Sequence, residues 1–597
     1  MKVDVECMRL STRRLGLRAR WLKFSTLAIV LSTAWPVMVQ AVPDPPICTP
    51  VAEFTAPPPA PVPTSPGSVS GFKVFEGATP PDGDPGAPVL VFVHGLHGSP
   101  ADWGDDTEYH GHNDMYDTAY ARGYKTFFVN LTDPDGVALD GLTSGLRLAD
   151  QIEAIAQYWG VNRVNVVAHS KGGVDANVAA VAGGRIDTVV SLGSPHHGSP
   201  LADLAQTDWL EWLAELLGAN DAGTKFLQTE CMNLFRQLAD SRPENDDISI
   251  YTSAGTSWGP ALSALSFGGL YLAGACGSND GLVCVSDANH PLSRDADNVQ
   301  TGEHRVVWDW SGEFELDHDN IRKGNALVDF IEIPFVPTRD CRVPVFDSLE
   351  PYFGTFHLAA APLGAELTGL APARRPGDAT TRPLSQILRG GPLPAGGTTI
   401  RFPVENGVAR LDIELLVSER LAAVTLVAPD GRRMPSRFPN AAAGGLFAGA
   451  FSADGSVETP LAGNWRIEIG PSTSDAVGAY AMVAALDSAL SLRLKHESIA
   501  KGGTGRSVWL RFEGDAGELQ TEASVAGRRE GGLPALRSAS VLDGPGDHRI
   551  DLDTPGIHTL SLTTRGRTRE GWAFERSSAV SVAVVEPNAV SLPAACQ

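Results

Sequence analysis

The sequence predicts an α/β domain with a mostly parallel sheet flanked by helices over residues 71–335, followed by two all-β, sandwich-like domains. Three observations predict it. Between Pro88 and Gly193, short β-branched or apolar runs alternate with stretches whose apolar residues recur at helical spacing, as in a parallel sheet joined by helices. Runs such as Pro88-Val-Leu-Val-Phe-Val93 are apolar throughout, which a strand buried on both faces requires. Beyond residue 398, helical spacing gives way to short strand-like runs separated by turns, the pattern of antiparallel sandwiches.

A chain of 597 residues exceeds what one core serves. Residues 1–41 read as an export signal. Arg13, Arg14, Arg18, Arg20 and Lys23 precede an apolar run from Phe24 to Val39, and Val39-Gln40-Ala41 offers a small-residue cleavage site near Ala41. The run is short for a membrane span and Pro36 breaks it. Loss of its seven basic and two acidic residues takes the net charge from −23 to about −28. That acidity excludes a nucleic-acid partner, which needs a basic face, and favours solubility outside the cell, extracellular or periplasmic. Six cysteines remain (Cys48, Cys231, Cys276, Cys284, Cys341 and Cys596), and an even count in an exported chain predicts disulfides. One is expected between two of Cys231, Cys276 and Cys284.

Residues 42–70 are a proline-rich lead-in with little capacity for helix or central strand. The run ending at Val93 enters His94-Gly-Leu-His-Gly-Ser99. A helix is expected around Asn113 to Arg122, a strand from Tyr124 to Leu131, a helix from Leu142 to Trp159, and strands ending at Ala168 and Gly193. Trp209, Trp212, Leu213, Leu216 and Leu217 share one helical face, and Phe226, Leu227, Leu234, Phe235 and Leu238 a second. These are either packing helices or a lid over the site. Ile248 to Tyr251 gives another strand, His304 to Trp310 the last, and a helix is expected from Ile321 to about Ile331. Residues 336–397 read as a connector, 398–488 and 489–588 as the two sandwiches, the second Ig-like, and 589–597 as a tail.

The chemistry gathers at Val161-Asn-Arg-Val-Asn-Val-Val-Ala-His-Ser-Lys-Gly-Gly173, where a β-branched run ends in a serine between small residues and a helix-compatible stretch follows. Ala168-x-Ser170-x-Gly172 is the form of a nucleophile elbow, whose sharp strand-to-helix turn leaves no room for side chains two residues from the serine. A serine hydroxyl needs a base within hydrogen-bond reach and a carboxylate to orient that base. Downstream in the order acid then histidine stand Asp280, in an Asn-Asp-Gly turn expected after a strand, and His318, in Glu315-Leu-Asp-His-Asp-Asn320, a loop expected between the last strand and the last helix. Asp287 and Asp309 are the alternative acids, His290 and His304 the alternative bases. The oxyanion needs two N–H donors, expected from Leu96 and Lys171, each such donor being worth about 3–4 kcal/mol in the transition state. His94, Gly95, His97, His169, His197, Trp209 and Trp212 are expected to line the substrate pocket, with His94 and His97 acting through backbone rather than ring and the His169 side chain pointing away from Ser170.

With these motifs in this order, residues 88–333, about 40% of the chain, resemble the secreted bacterial lipases of the α/β-hydrolase superfamily. The resemblance implies an oxyanion loop at His94-Gly-Leu-His-Gly98, a nucleophile at Ser170, a post-strand loop at Ser194-Pro-His-His-Gly-Ser199, an acid at Asp280 and a base at His318. It implies a triacylglycerol lipase acting on lipid or ester at an interface, without a cofactor. Two departures stand out. Where many such lipases place a calcium-ligating aspartate, this chain has Asn320; Asp319 and Asp287 do not complete the six to eight ligands calcium takes, so no metal is expected. Lys171 replaces a neutral residue and is expected to alter the charge of the pocket. A polyhydroxyalkanoate depolymerase whose C-terminal domains grip a polymer, and a cell-surface-binding protein with a vestigial hydrolase domain, are the alternatives.

Overall fold

The computed structural model describes residues 58–64, 73–80, 87–132, 138–207, 221–293, 305–306, 316–324 and, with short interruptions, 380–585, together with 592 and 596. The expected signal segment, Trp209, Trp212, His304 and Asp309 lie outside the described residues.

The strands of the first sheet are β1 (Val62–Thr64), β2 (Val74–Glu76), β3 (Val89–Val93), β6 (Lys125–Val129), β7 (Val164–His169), β8 (Ile186–Leu192), β9 (Ser249–Ala254) and β10 (Arg305–Val306), with a hairpin of β4 (Asp106–Thr107) and β5 (Gly111–His112) standing apart. Their order is β1-β2-β6-β3-β7-β8-β9-β10. From β6 to β10 all pairs are parallel, and β1 and β2 add an antiparallel edge. β3, β6 and β7 are buried at every position, and β3 accordingly reads as an unbroken apolar run, whereas β6 carries Lys125 and Thr126 and β7 carries Asn165.

Helices α1 (Met115–Ala121), α2 (Gly141–Trp159) and α3 (Lys171–Val181) fall where apolar spacing placed them. Asp140 caps α2 by accepting from the Thr143 N–H, and Gly160, at φ 72°, ends it in the left-handed region that glycine enters freely. Next come α4 (Pro200–Leu204), α5 (Ala222–Phe226), α6 (Thr229–Ala239) and α7 (Ala264–Cys276). Sequence reasoning missed α7, because it is apolar on every side and has no amphipathic stripe. Asp280 therefore follows a helix rather than a strand. The helix expected from Ile321 begins as a 3-10 turn, Asn320–Arg322, and its continuation lies outside the described residues.

The C-terminal strands are β11 (Thr380–Pro383), β12 (Gln386–Leu393), β13 (Thr398–Val404), β14 (Val408–Val417), β15 (Val424–Val427), β16 (Arg433–Pro435), β17 (Phe451–Glu458), β18 (Gly463–Ile469) and β19 (Gly478–Ser488). They continue as β20 (Leu492–His496), β21 (Ile499–Lys501), β22 (Ser507–Gly514), β23 (Ala516–Arg528), β24 (Pro534–Asp543), β25 (Gly546–Asp551), β26 (Gly556–Thr568) and β27 (Ala573–Val585). Sheets β12-β19-β14-β17 and β13-β18-β15-β16 enclose one core around Leu411, Phe402 and Trp465. Sheets β11-β20-β22-β25 and β21-β27-β26-β23-β24 enclose another around Leu494, Leu510 and Leu560. The expected connector 336–397 thus ends sooner, since β11 and β12 are strands. The second sandwich is discontinuous: β11 precedes the first sandwich yet pairs with β20. An edge strand is recruited by whichever sheet offers unpaired backbone, which local composition does not record.

These sandwiches share a core with the hydrolase-like domain. Leu201, Leu204, Phe267 and Leu270 pack with Leu388, Leu416, Val483 and Ala579. Beneath them Arg382, fully buried, reaches Asp203 at 3.5 Å and donates to the Ala579 carbonyl at 3.2 Å. Cys276 pairs with Cys284, while Cys231 on α6 pairs with Cys596, 365 residues away. α6 also packs against β27, where Thr229 Oγ1 lies 2.8 Å from Ser581 Oγ, and Phe235 is buried.

Candidate active site

Register brings the first loop beside the elbow. Val93 on β3 lies opposite Ala168 on β7, so His94 and Gly95 emerge next to His169 and Ser170. Ser170 sits at φ 55° and ψ −130°, a strained conformation for a residue with a side chain. Close packing explains the small residues around it. A Cβ at Gly172 would lie 2.4 Å from the His94 carbonyl oxygen and 2.8 Å from that of Val93, both backbone atoms that cannot swing away. At Gly95 it would lie 2.9 Å from the Ser170 Cβ.

Ser170, His318 and Asp280 meet at the carboxyl edge of this sheet, all buried. His318 Nδ1 is 2.8 Å from Asp280 Oδ2, and Nε2 is 2.9 Å from Ser170 Oγ. A carboxylate only accepts, so Nδ1 carries the proton and the free lone pair of Nε2 faces the serine hydroxyl. Asp280 is held in turn: its Oδ1 accepts from the N–H groups of Leu282 at 3.0 Å and Val283 at 2.7 Å, and its carbonyl accepts from the His318 N–H at 2.8 Å. The Cys276–Cys284 disulfide brackets this turn. Gly193, at the end of β8, leaves space for the pair to pass, since a Cβ there would stand 2.9 Å from Asp280 Oδ2. Of the alternatives, Asp287 accepts from the His197 N–H through its backbone carbonyl, and His290 packs on the His196 ring at 4.9 Å.

The other candidates divide. His169 does not point away: its Nε2–H donates to the His318 carbonyl at 2.8 Å and its ring lies 4.8 Å from that of His318. Burial, with the neighbouring His318, holds the His169 pKa well below its ordinary value, so the ring is a neutral prop for the base loop. The His94 ring acts as well as its backbone. Nε2 accepts from the Leu131 N–H at 3.0 Å, so Nδ1–H donates to the Gly95 carbonyl at 2.8 Å, and burial lowers its pKa in favour of this neutral form. His97 turns to Asp221, which also caps α5 by accepting from the Thr224 N–H at 2.7 Å. His197 is buried. Leu96 follows Gly95 in the loop facing the elbow. Lys171, as first residue of α3, has an N–H with no partner inside its helix.

Lys171 does not charge the pocket. Its ammonium is buried beneath the elbow on Asp175 and Ser144, a pairing signalled in the sequence only by the four-residue spacing of Lys171 and Asp175. The loop where a calcium was considered is held by protein groups instead. Asp319 accepts from Arg322 Nη2 at 2.8 Å and from the N–H groups of Tyr109 at 2.8 Å and Glu108 at 3.2 Å. Asn320 accepts from the Asp317 N–H at 2.7 Å. Among the described residues no group of three His, Cys, Asp or Glu is arranged to hold a metal. Arg322 escaped sequence reasoning because a cation three residues from its carboxylate reads as a surface helix pair.

A family model described as the PGAP1-like alpha/beta domain matches residues 84–225. The Bacillus licheniformis lipase BlEst2, solved in propeptide form, is 26% identical with a TM-score of 0.61, and the likeness covers 85% of this chain and 97% of that one. The chain has the α/β-hydrolase fold and is similar to lipases and esterases of that superfamily. The chain also matches triacylglycerol lipases of Pseudomonas fragi, 35% identical over 117 residues, and Pseudarthrobacter phenanthrenivorans, 29% over 120 residues, or 19% and 20% of its own length. The match spans 37% and 36% of those two lipases, about a third of each.

Proposed function

We propose that this hydrolase is an exported serine carboxylic-ester hydrolase whose substrate class is triacylglycerol. The carrying observation is the His318 ring bridging Ser170 Oγ and Asp280 through its two nitrogens. As Ser170 attacks the ester carbonyl, its proton passes to His318 Nε2, and Asp280 stabilises the imidazolium that forms. The N–H groups of Leu96 and Lys171 receive the developing oxyanion. Collapse of the tetrahedral intermediate gives the alcohol the proton from His318 and leaves an acyl-serine. Water, deprotonated by the same nitrogen, then releases the acid. No step calls for a metal or cofactor. Export is supported by the N-terminal charge pattern and by two disulfides, which persist in oxidising compartments.

A polymer-gripping role for the sandwiches finds less support than the lipase reading, because they are built into the hydrolase core rather than carried on a connector. The test compares wild type with Ser170→Ala on emulsified triolein, on p-nitrophenyl esters of graded chain length and on polyhydroxyalkanoate granules. The substitution is expected to lower turnover by at least about three orders of magnitude. Full activity in Ser170→Ala would remove the reading, and a wild type that degrades granules but not triolein would replace the substrate.

A further inference from the structure

The first turn of α3 offers few side chains to fix its rotation. Residues 172 and 173 are glycines, required by the backbone passing at Gly172 and by Ser194 Oγ, which a Cβ at Gly173 would meet at 2.1 Å. Ser170 itself is kept in a strained conformation. Of the side chains left in that turn, Val174 packs into the apolar core and Lys171, 4% exposed, is the one that can make directed polar bonds.

Its ammonium has three N–H donors and three acceptors within reach: Asp175 Oδ1 and Oδ2, both at 2.8 Å, and Ser144 Oγ at 2.6 Å. Asp175 is 2% exposed and Ser144 is fully buried. Ser144 lies on α2, where its hydroxyl is 2.6 Å from the Asp140 carbonyl and 3.0 Å from Asp175 Oδ1. The cluster therefore ties the start of α3 to the start of α2. The same two helices touch at backbone distance one turn on, where a Cβ at Gly145 would lie 2.3 Å from Val178 Cβ and 2.9 Å from the Asp175 carbonyl. With both contacts in place α3 cannot rotate about its own axis.

A buried ion pair is a poor means to stability, because desolvation consumes most of the Coulombic gain and apolar side chains of similar volume do as well. What it supplies is direction: three fixed bonds on one side chain leave the Lys171 backbone a single orientation. We propose that Lys171 is a positioning residue, its side chain acting through Asp175 and Ser144 to aim its own backbone N–H at the oxyanion. This rests on the reading of Ser170 as nucleophile. It also accounts for a cation in a motif whose chemistry uses only a backbone donor.

The test is the pair Lys171→Met and Lys171→Met/Asp175→Leu. The single variant leaves Asp175 buried without its partner and is expected to lose stability. The double variant removes both charges and is expected to fold with a melting temperature near that of wild type. In the double variant kcat is expected to fall about tenfold to a hundredfold, less than deleting a donor outright, with KM unchanged. Affinity for an alkyl trifluoromethyl ketone, which forms an oxyanion on the serine, should fall by the same factor, and affinity for the matching methyl ketone should not change. A folded double variant with wild-type kcat, or equal losses for both ketones, overturns the proposal. A Ser170→Ala variant that stays active overturns the reading beneath it instead, so the two failures are distinct.

Discussion

At Asp280 the two carboxylate oxygens do different work: Oδ1 receives two backbone N–H groups and Oδ2 faces His318. An asparagine there would keep its carbonyl on the two amides and turn its NH2 to the imidazole. His318 would then accept at Nδ1 and carry its proton on Nε2, where Ser170 needs an acceptor. Asp280→Asn is accordingly expected to retain the fold by circular dichroism while kcat drops about four orders of magnitude. A loss of tenfold or less would show that another group orients the base. Single residues were legible where chemistry or sterics leaves few choices. Ser170 between Ala168 and Gly172 is one such case, and Asp280 in its turn is another. The direction of a side chain was not legible: Lys171 and His169 could each have faced the pocket, and only their neighbours decide.

The element that delivers His318 is a short loop closed by a 3-10 turn, with little apolar surface of its own. Its rigidity comes from Asp317 and Asp319 gripping the β4–β5 hairpin. His110 Nε2 meets Asp317 Oδ2 at 2.6 Å, and Lys323 donates to the His110 carbonyl at 2.9 Å. Burial pulls the His110 pKa down, but the hydrogen bond and charge of Asp317, aided by Asp319, outweigh it and leave the pKa raised above 6.5. The sign follows from linkage. A histidine whose folded value exceeds its unfolded one contributes all its stability below the unfolded value and loses it as pH rises through the folded value. The melting-temperature advantage of wild type over His110→Gln should be largest near pH 6 and shrink above about pH 7, as followed by thermal unfolding. An advantage constant with pH would mean that the pair does not titrate. At this scale β3, β6 and α2 could be read from periodicity, whereas α7 and β11 could not. The first is apolar all round, and the second is a strand only because β20 is there to pair with it.

Across the whole molecule, the sandwiches press on α7, and a buried carboxyl group lies in that contact. Glu414, on β14, lines a small cavity with Trp258, Ser266, Leu270, Asp412 and Asp454. Burial, then the charge of Asp454 and more weakly of Asp412, raises its carboxyl well above the ordinary value, against the pull of Ser266 on α7. The folded protein thus keeps Glu414 protonated at pH values where the unfolded chain ionises it. That difference costs nothing at pH 4 and destabilises progressively as pH rises above about 4.5. Glu414→Gln, which stays neutral, should match wild type at pH 4 and melt higher than wild type at pH 7 to 8. A lower melting temperature for the variant at every pH would count against a protonated Glu414.

What the sequence by itself determined was the α/β character of the part that carries Ser170, the all-β character of the C-terminal part, and the residues from which a serine, an acid and a base would be drawn. These are written in short-range patterns: an apolar run marks a strand buried on both faces, and a small residue marks a place where backbone passes close. What only the tertiary structure decided was the meeting of distant parts, such as Cys231 with Cys596, β11 with β20, and Arg382 with Asp203. Such pairings depend on which buried donor finds which acceptor once the chain has packed, and no local spacing encodes that.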